Sequence, residues 1–166
     1  NNWWEDVIKE TKYSVIKLGV DSVDVITCHD AHTVDQYPPW NQRLIRQGRP
    51  MKPAPFIVDF VTDGKYRFYL RRWPEESGLT LGQEALDEDA ATAFTDGTIK
   101  GKSMNLTKAH LEVGDLKKEM IVNNKEEAAV LELKVSKGQK ELLAYFDMED
   151  GVQSNAFYVY VEKLDK

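Results

Sequence analysis

The sequence has little of what usually advertises chemistry. A single cysteine, Cys28, stands among 166 residues, so no internal disulfide can form and cysteine usage does not report a compartment. No apolar run approaches membrane-spanning length, and no signal-peptide pattern opens the chain. A Gly-rich phosphate loop, a G-x-S-x-G elbow and an H-E-x-x-H helix are all missing. Basic charge is in deficit: the net charge is -6 and the pI near 5.1, which argues against nucleic acid as a partner. Repeats and low-complexity segments are also missing. The length suits one domain with a sizeable core over residues 1–166. The chain opens on Asn1-Asn2-Trp3-Trp4 without an initiator methionine, which leads us to expect a piece processed or excised from something longer.

What is present is mostly strand rhythm. From Pro55 to Pro74 two runs rich in β-branched and aromatic residues flank Asp63-Gly64, a strong β-hairpin signal because glycine accepts the positive φ of a tight turn. Tyr66, Phe68 and Leu70 fall on one face of the second arm, and Lys65, Arg67, Tyr69 and Arg71 on the other. Residues 55–74 are therefore expected to form a central, half-buried hairpin that Pro74 terminates. Two short strands, Tyr13–Leu18 and Val23–Cys28, are expected before it. Strands resume over residues 98–166. There Gly114-Asp115, Asn123-Asn124, Lys137-Gly138 and Asp150-Gly151 supply turns, Lys137-Gly138 closing a second hairpin. Ala109, Leu111 and Val113 share a face, which puts His110 on the other, in solvent. The closing run Ala156–Val161 is apolar on both faces and should lie centrally. Together these predict an all-β, antiparallel β-sandwich.

A short N-terminal helix is expected over residues 2–10, within a helical lead-in at 1–12. Asn2 would cap it, and Trp3/Val7 and Trp4/Ile8 are i,i+4 pairs. Two indoles on so short a helix cannot both bury within it, so it docks on this chain's own core or on a partner. Residues 33–55 hold five of the six prolines and read as an irregular connection with an edge strand near Arg43–Ile45. Residues 75–96 are the least decipherable; a short helix over Glu84–Ala93 and an ordered loop are both open. Asp87-Glu88-Asp89 reads as a solvated charge run, since the spacing and glycine of a calcium loop are missing.

Candidate site residues are few. His29, Asp30 and His32 are the one local group of metal-capable side chains. A helical turn would bring the two histidines together, whereas extended chain would separate them, and His110 is remote in sequence. A polar loop after a strand is the expectation, and a small metalloenzyme the least favoured reading. Arg72 shares the inward face of Tyr66, Phe68 and Leu70, so its guanidinium should reach the core edge and needs carboxylates or carbonyls there. An ion pair with Glu75 or Glu76 is expected, ahead of a ligand site. Tyr37, Trp40 and Trp73 lie near loops, where aromatics either anchor the loop or stack on sugar rings.

The run GKYRFYLRRWPE, Gly64 to Glu75, resembles a motif near the C-terminal end of bacterial arylsulfatases, "dGkYeisLrRWPxE". Other pieces follow in the same order. Trp3-Trp4 and Leu18-Gly19 resemble the opening of that region, Thr27-Cys28-His29-Asp30 its "LtshDW", Trp40-Asn41-Gln42 with Gly48 its "WnQ…G", and Leu133 to Val161 its closing strands. The sequence departs from the pattern at Ala31 and Phe56, both tryptophan in the family, and at Leu143-Ala144-Tyr145, which replaces Gln-Thr-Trp. The C/S-x-P-x-R motif that yields the family's formylglycine is not in this chain, nor is an Asp-Asp pair for its calcium. The resemblance therefore implies a non-catalytic C-terminal module that packs, through Trp3 and Trp4 among others, on an upstream sulfatase domain. No cofactor is expected here, calcium being implied only for that domain, whose substrate would be a sulfate ester, such as a sulfated carbohydrate. A periplasmic or extracellular setting is implied by the family alone. The competing expectation is a free-standing carbohydrate-binding module using Trp40 and Trp73.

Overall fold

A computed structural model describes residues 15–33, 42–85 and 101–164. Among these the structure is mostly β. Ten strands form two sheets. They are β1 (Ile16–Leu18), β2 (Val23–Thr27), β3 (Phe56–Phe60), β4 (Gly64–Arg71), β5 (Leu106–Val113), β6 (Leu116–Ile121), β7 (Ala129–Val135), β8 (Gly138–Met148), β9 (Gln153–Asn155) and β10 (Tyr158–Lys163). The larger sheet runs β1-β3-β8-β5-β6, with β9 also paired to β8; the smaller runs β2-β10-β4-β7. All pairings are antiparallel except β1 with β3.

The inward residues of both sheets meet in one apolar cluster. Phe56, Val58 and Phe60 from β3 and Leu142, Ala144 and Phe146 from β8 lie against Tyr66, Phe68 and Leu70 from β4 and Val159 and Val161 from β10. Phe60 packs edge-on against Tyr66 at 4.9 Å between centroids, and against Phe68 at 6.4 Å. Each fully buried side chain of this size contributes about 1.5–3 kcal/mol relative to exposure, so this cluster dominates the favourable side of folding. As expected, β10 is interior to its sheet and buried on both faces at Val159, Tyr160 and Val161.

The connectivity corrects two expected hairpins. β3 and β4 do not pair: β3 is flanked by β1 and β8, and β4 by β10 and β7, so the Asp63-Gly64 step carries the chain from one sheet to the other. Gly64 is buried, is paired with Val135 inside the ladder and does not have positive φ, so it is not a tight-turn glycine. Ser136-Lys137 likewise crosses between sheets, from β7 to β8. The two crossings brace each other, the Lys137 backbone N–H donating to Asp63 Oδ1 at 2.7 Å. True hairpins occur at Gly114-Asp115 and around Asp150-Gly151, where Gly114 (φ 56°) and Gly151 (φ 77°) are left-handed. Of the strands expected at 13–18 and 23–28, β1 lies in the described part of the first and β2 covers all but the last residue of the second; each pairs in a different sheet.

The expected edge strand at Arg43–Ile45 is instead a one-turn helix, α1 (Gln42–Arg46). Gly48, at φ 62°, ends it in a Schellman arrangement, with Gly48 N–H donating to Ile45 O and Arg49 N–H to Leu44 O. The helix expected at residues 2–10, the acidic triplet at 87–89 and nearly all of the 84–93 segment lie outside the described residues.

Candidate functional site

The Leu70–Pro74 run builds the end of the smaller sheet. Alternation along β4 sends Leu70 into the main core and Arg71 outward. Arg71 contacts Glu75 and Glu127, each at 3.2 Å, and its guanidinium lies 5.4 Å from the Tyr160 ring centroid. The ion pair anticipated for Arg72 thus belongs to its neighbour. Arg72 points the other way and is 1% exposed. Its guanidinium donates to four backbone carbonyls: Gln83 at 3.0 Å, Ile45 at 3.0 Å, Arg46 at 3.4 Å and Lys102 at 2.6 Å. Two of these are carbonyls at the end of α1, which also accept backbone N–H groups, Ile45 O from Gly48 and Arg46 O from Lys102.

No carboxylate balances this charge among the described residues, and burial pushes the guanidinium down to about 10. That is still far enough above neutrality to keep it protonated. Hydrogen bonds to a charged group contribute about 1.5–3 kcal/mol each, so the cage offsets a desolvation cost of several kcal/mol. Trp73 stacks under Arg72, with 4.4 Å from guanidinium to ring, and donates its indole N–H to Gln83 O at 3.1 Å. It fills a second apolar cluster with Cys28, Ile45, Met51, Ala54, Ala85 and Phe157. With 2% of its surface exposed, Trp73 presents no ring face to a sugar. Trp3, Trp4, Tyr37 and Trp40 lie outside the described residues.

The Cys28–Asp30 segment is a 3-10 turn, and its Asp30 side chain is already engaged. Asp30 accepts from the Thr27 backbone N–H at 2.8 Å and its hydroxyl at 3.0 Å. Cys28 is buried, which pushes its thiol up to about 11 and makes it a poor nucleophile. His29 is exposed, and the His32 backbone N–H donates to Pro55 O. Among the described residues no three His, Cys, Asp or Glu side chains converge as a metal set.

The structure brings together a group that sequence reasoning missed. His110 is not in open solvent: its side chain is 16% exposed, on the outer face of the larger sheet. Its Nε2 lies 2.7 Å from Asp147 Oδ2, and its ring stacks on Tyr145 at 4.6 Å and 10°. Tyr145 donates its hydroxyl to Glu112 at 3.2 Å, and Lys117 donates to the same carboxylate at 2.7 Å. Glu119 pairs with Lys108 at 2.9 Å and sits 3.6 Å from His110 Nδ1. The Lys117 hydrogen bond leads in holding Glu112 below the usual carboxylate range, against burial. Burial would raise Asp147, but hydrogen bonds from His110 and Gln153 hold it lower. Burial, then Glu112, pushes the Tyr145 phenol up. The arrangement is two hydrogen-bonded pairs, His110 with Asp147 and Tyr145 with Glu112, joined by ring stacking. Tyr145, which stands where the arylsulfatase pattern has tryptophan, was the one available signal; its partners His110 and Asp147 are not local to it.

No family model matches the chain, and no curated protein matches it. A solved structure of a ruminal GH26 endo-beta-1,4-mannanase is similar over 89% of this chain, with a TM-score of 0.48 and 14% identity. This chain spans 27% of that one's length, and a likeness at this level carries no argument about fold or function.

Proposed function

We propose that the two sheets form a β-sandwich, preceded by a short N-terminal helix, that serves as a non-catalytic C-terminal module of a sulfatase. The module packs against an upstream domain that hydrolyses a sulfate ester. The observation that carries this reading is the burial of Arg72 and Trp73. The residues on which the arylsulfatase resemblance rests are occupied in tying β4 to α1, Gln83 and Lys102, as suits a motif kept for its packing. Formylglycine and calcium belong, in this reading, to the upstream domain, and Trp3 and Trp4 belong to the surface that faces it. The module's setting is then periplasmic or extracellular.

Sequencing the gene upstream of Asn1 tests the reading. An open frame containing C/S-x-P-x-R in register with this chain is the expected result. A start codon a few residues before Asn1 would overturn it, in favour of a free-standing module.

A further inference from the structure

We infer that Asp150 is a site of spontaneous isoaspartate formation, a modification that the fold permits at the β8–β9 turn and blocks at the sheet crossing. Asp-Gly steps occur at residues 63–64, 96–97 and 150–151. Residues 96–97 lie outside the described residues, and the other two steps stand in opposite surroundings.

The chemistry needs only the chain and water. The glycine backbone nitrogen attacks Cγ of the protonated aspartate carboxyl and forms a C–N bond. The hydroxyl leaves with the amide proton as one water, and a five-membered succinimide remains. Water then adds back and cleaves one of the two imide C–N bonds. Cleavage at Cγ restores aspartate, whereas cleavage at the α-carbonyl leaves the main chain routed through the β-carboxyl. Glycine favours the first step because no Cβ shields its nitrogen. Attack also requires a carboxyl that lies toward the next peptide, and a glycine N–H that can leave its hydrogen bond.

Asp150-Gly151 meets these conditions. Both residues are exposed, and a Cβ on Gly151 would meet nothing within 4 Å. Asp150 Oδ1 accepts the Val152 N–H at 3.1 Å, which curls the carboxyl over the intervening peptide and toward Gly151 N. The Gly151 N–H donates across the turn to Met148 O at 3.0 Å. An exposed turn of this kind opens locally at little cost, without unfolding either sheet.

Asp63-Gly64 does not. Asp63 is also exposed, but its Oδ1 is held by the Lys137 N–H at 2.7 Å, from the opposite crossing. Gly64 is buried and opens β4, where it pairs with Val135, so reaching its nitrogen requires the end of a core strand to leave its ladder. Isomerisation at Asp150 adds one carbon to the main chain between Met148 and Gln153. That should slacken the turn beside the Gln153–Asp147 hydrogen bond of 2.9 Å.

Storage of the folded chain at physiological pH and temperature, followed by peptide mapping with electron-transfer fragmentation, tests the inference, since isoaspartate leaves the mass unchanged. Isoaspartate at Asp150 is expected to exceed that at Asp63 about tenfold or more, because opening a turn is nearly free and opening a core strand is not. In guanidinium chloride the two sites should react alike, which assigns the difference to the fold. Asp150→Glu should remove the signal at that step, because glutamate would have to close a six-membered ring. Circular dichroism confirms that the variant folds. The inference is overturned if Asp150 stays intact in the folded chain, if Asp63 reacts as fast there, or if the difference persists in guanidinium chloride.

Discussion

Two polar clusters in this molecule handle charge in opposite ways. At the end of the smaller sheet, Arg72 is fully buried without a counter-charge among the described residues and is held by four carbonyls from three segments. On the outer face of the larger sheet, His110, Glu112, Glu119 and Asp147 are partly exposed and paired with charges or a phenol on adjacent strands. The first cluster links parts of the chain that no ladder joins, so its removal should loosen several of them at once. The second lies across strands that are already hydrogen-bonded, so its loss should be local. Number of charges is a poor guide to structural weight here; what matters is whether other bonds can carry the load.

Truncating the hub is the strongest way to sharpen that contrast. Trp73→Ala removes the largest buried side chain of the second cluster and should cost about 3–5 kcal/mol by urea unfolding. On the sheet face, His110→Gln should cost about 0.5–1.5 kcal/mol, since water can reach what remains of the Asp147 pair. A His110 effect equal to that of Trp73 would break the comparison.

Acid should act on the sheet face first. Asp147 and Glu112 titrate below their ordinary values of 3.8 and 4.5 in the folded chain. The unfolded chain therefore takes up those protons first as pH falls. Their stabilisation is complete at neutral pH and is lost as pH drops from about 4.5 through the folded values. Asp147→Asn should flatten this part of the stability–pH curve; an unchanged slope would contradict the pairing. Cys28 offers the smallest effect. At mildly alkaline pH the folded chain should resist iodoacetamide, with alkylation appearing only in denaturant, because the thiol is buried and raised to about 11.

The period-two pattern disclosed which faces are buried with good fidelity: Tyr66, Phe68, Leu70, Ala109, Leu111 and Val113 all point inward as read. It could not disclose pairing. Two strands with inward phenylalanines alternate identically whether they share a ladder or face each other across a core, so Asp63-Gly64 looked like a hairpin. Only backbone conformation separates Gly64 from Gly114 and Gly151. α1 was missed because five residues cannot display a helical period, although Gly48 after Gln42–Arg46 was a usable stop signal. At the hub, the inward aim of Arg72 and its need for carbonyls or carboxylates followed from phase. Which carbonyls it found did not, because Ile45, Gln83 and Lys102 are remote in sequence. His110 was misread for the same reason, its partner Asp147 being 37 residues away.

Adjacent arginines test most directly whether the Leu70–Pro74 run is a structural clamp. Arg71→Met and Arg72→Met make the same chemical change one residue apart, on opposite faces of β4. Urea unfolding should show Arg71→Met costing about 1 kcal/mol, because Arg71 is buried but its partners Glu75 and Glu127 stand in solvent. Arg72→Met should cost about 3–5 kcal/mol, because four hydrogen bonds from a buried charge to buried carbonyls are lost together. Equal costs, or a larger cost at Arg71, would contradict the account and return Arg72 to the list of candidate ligand-binding residues.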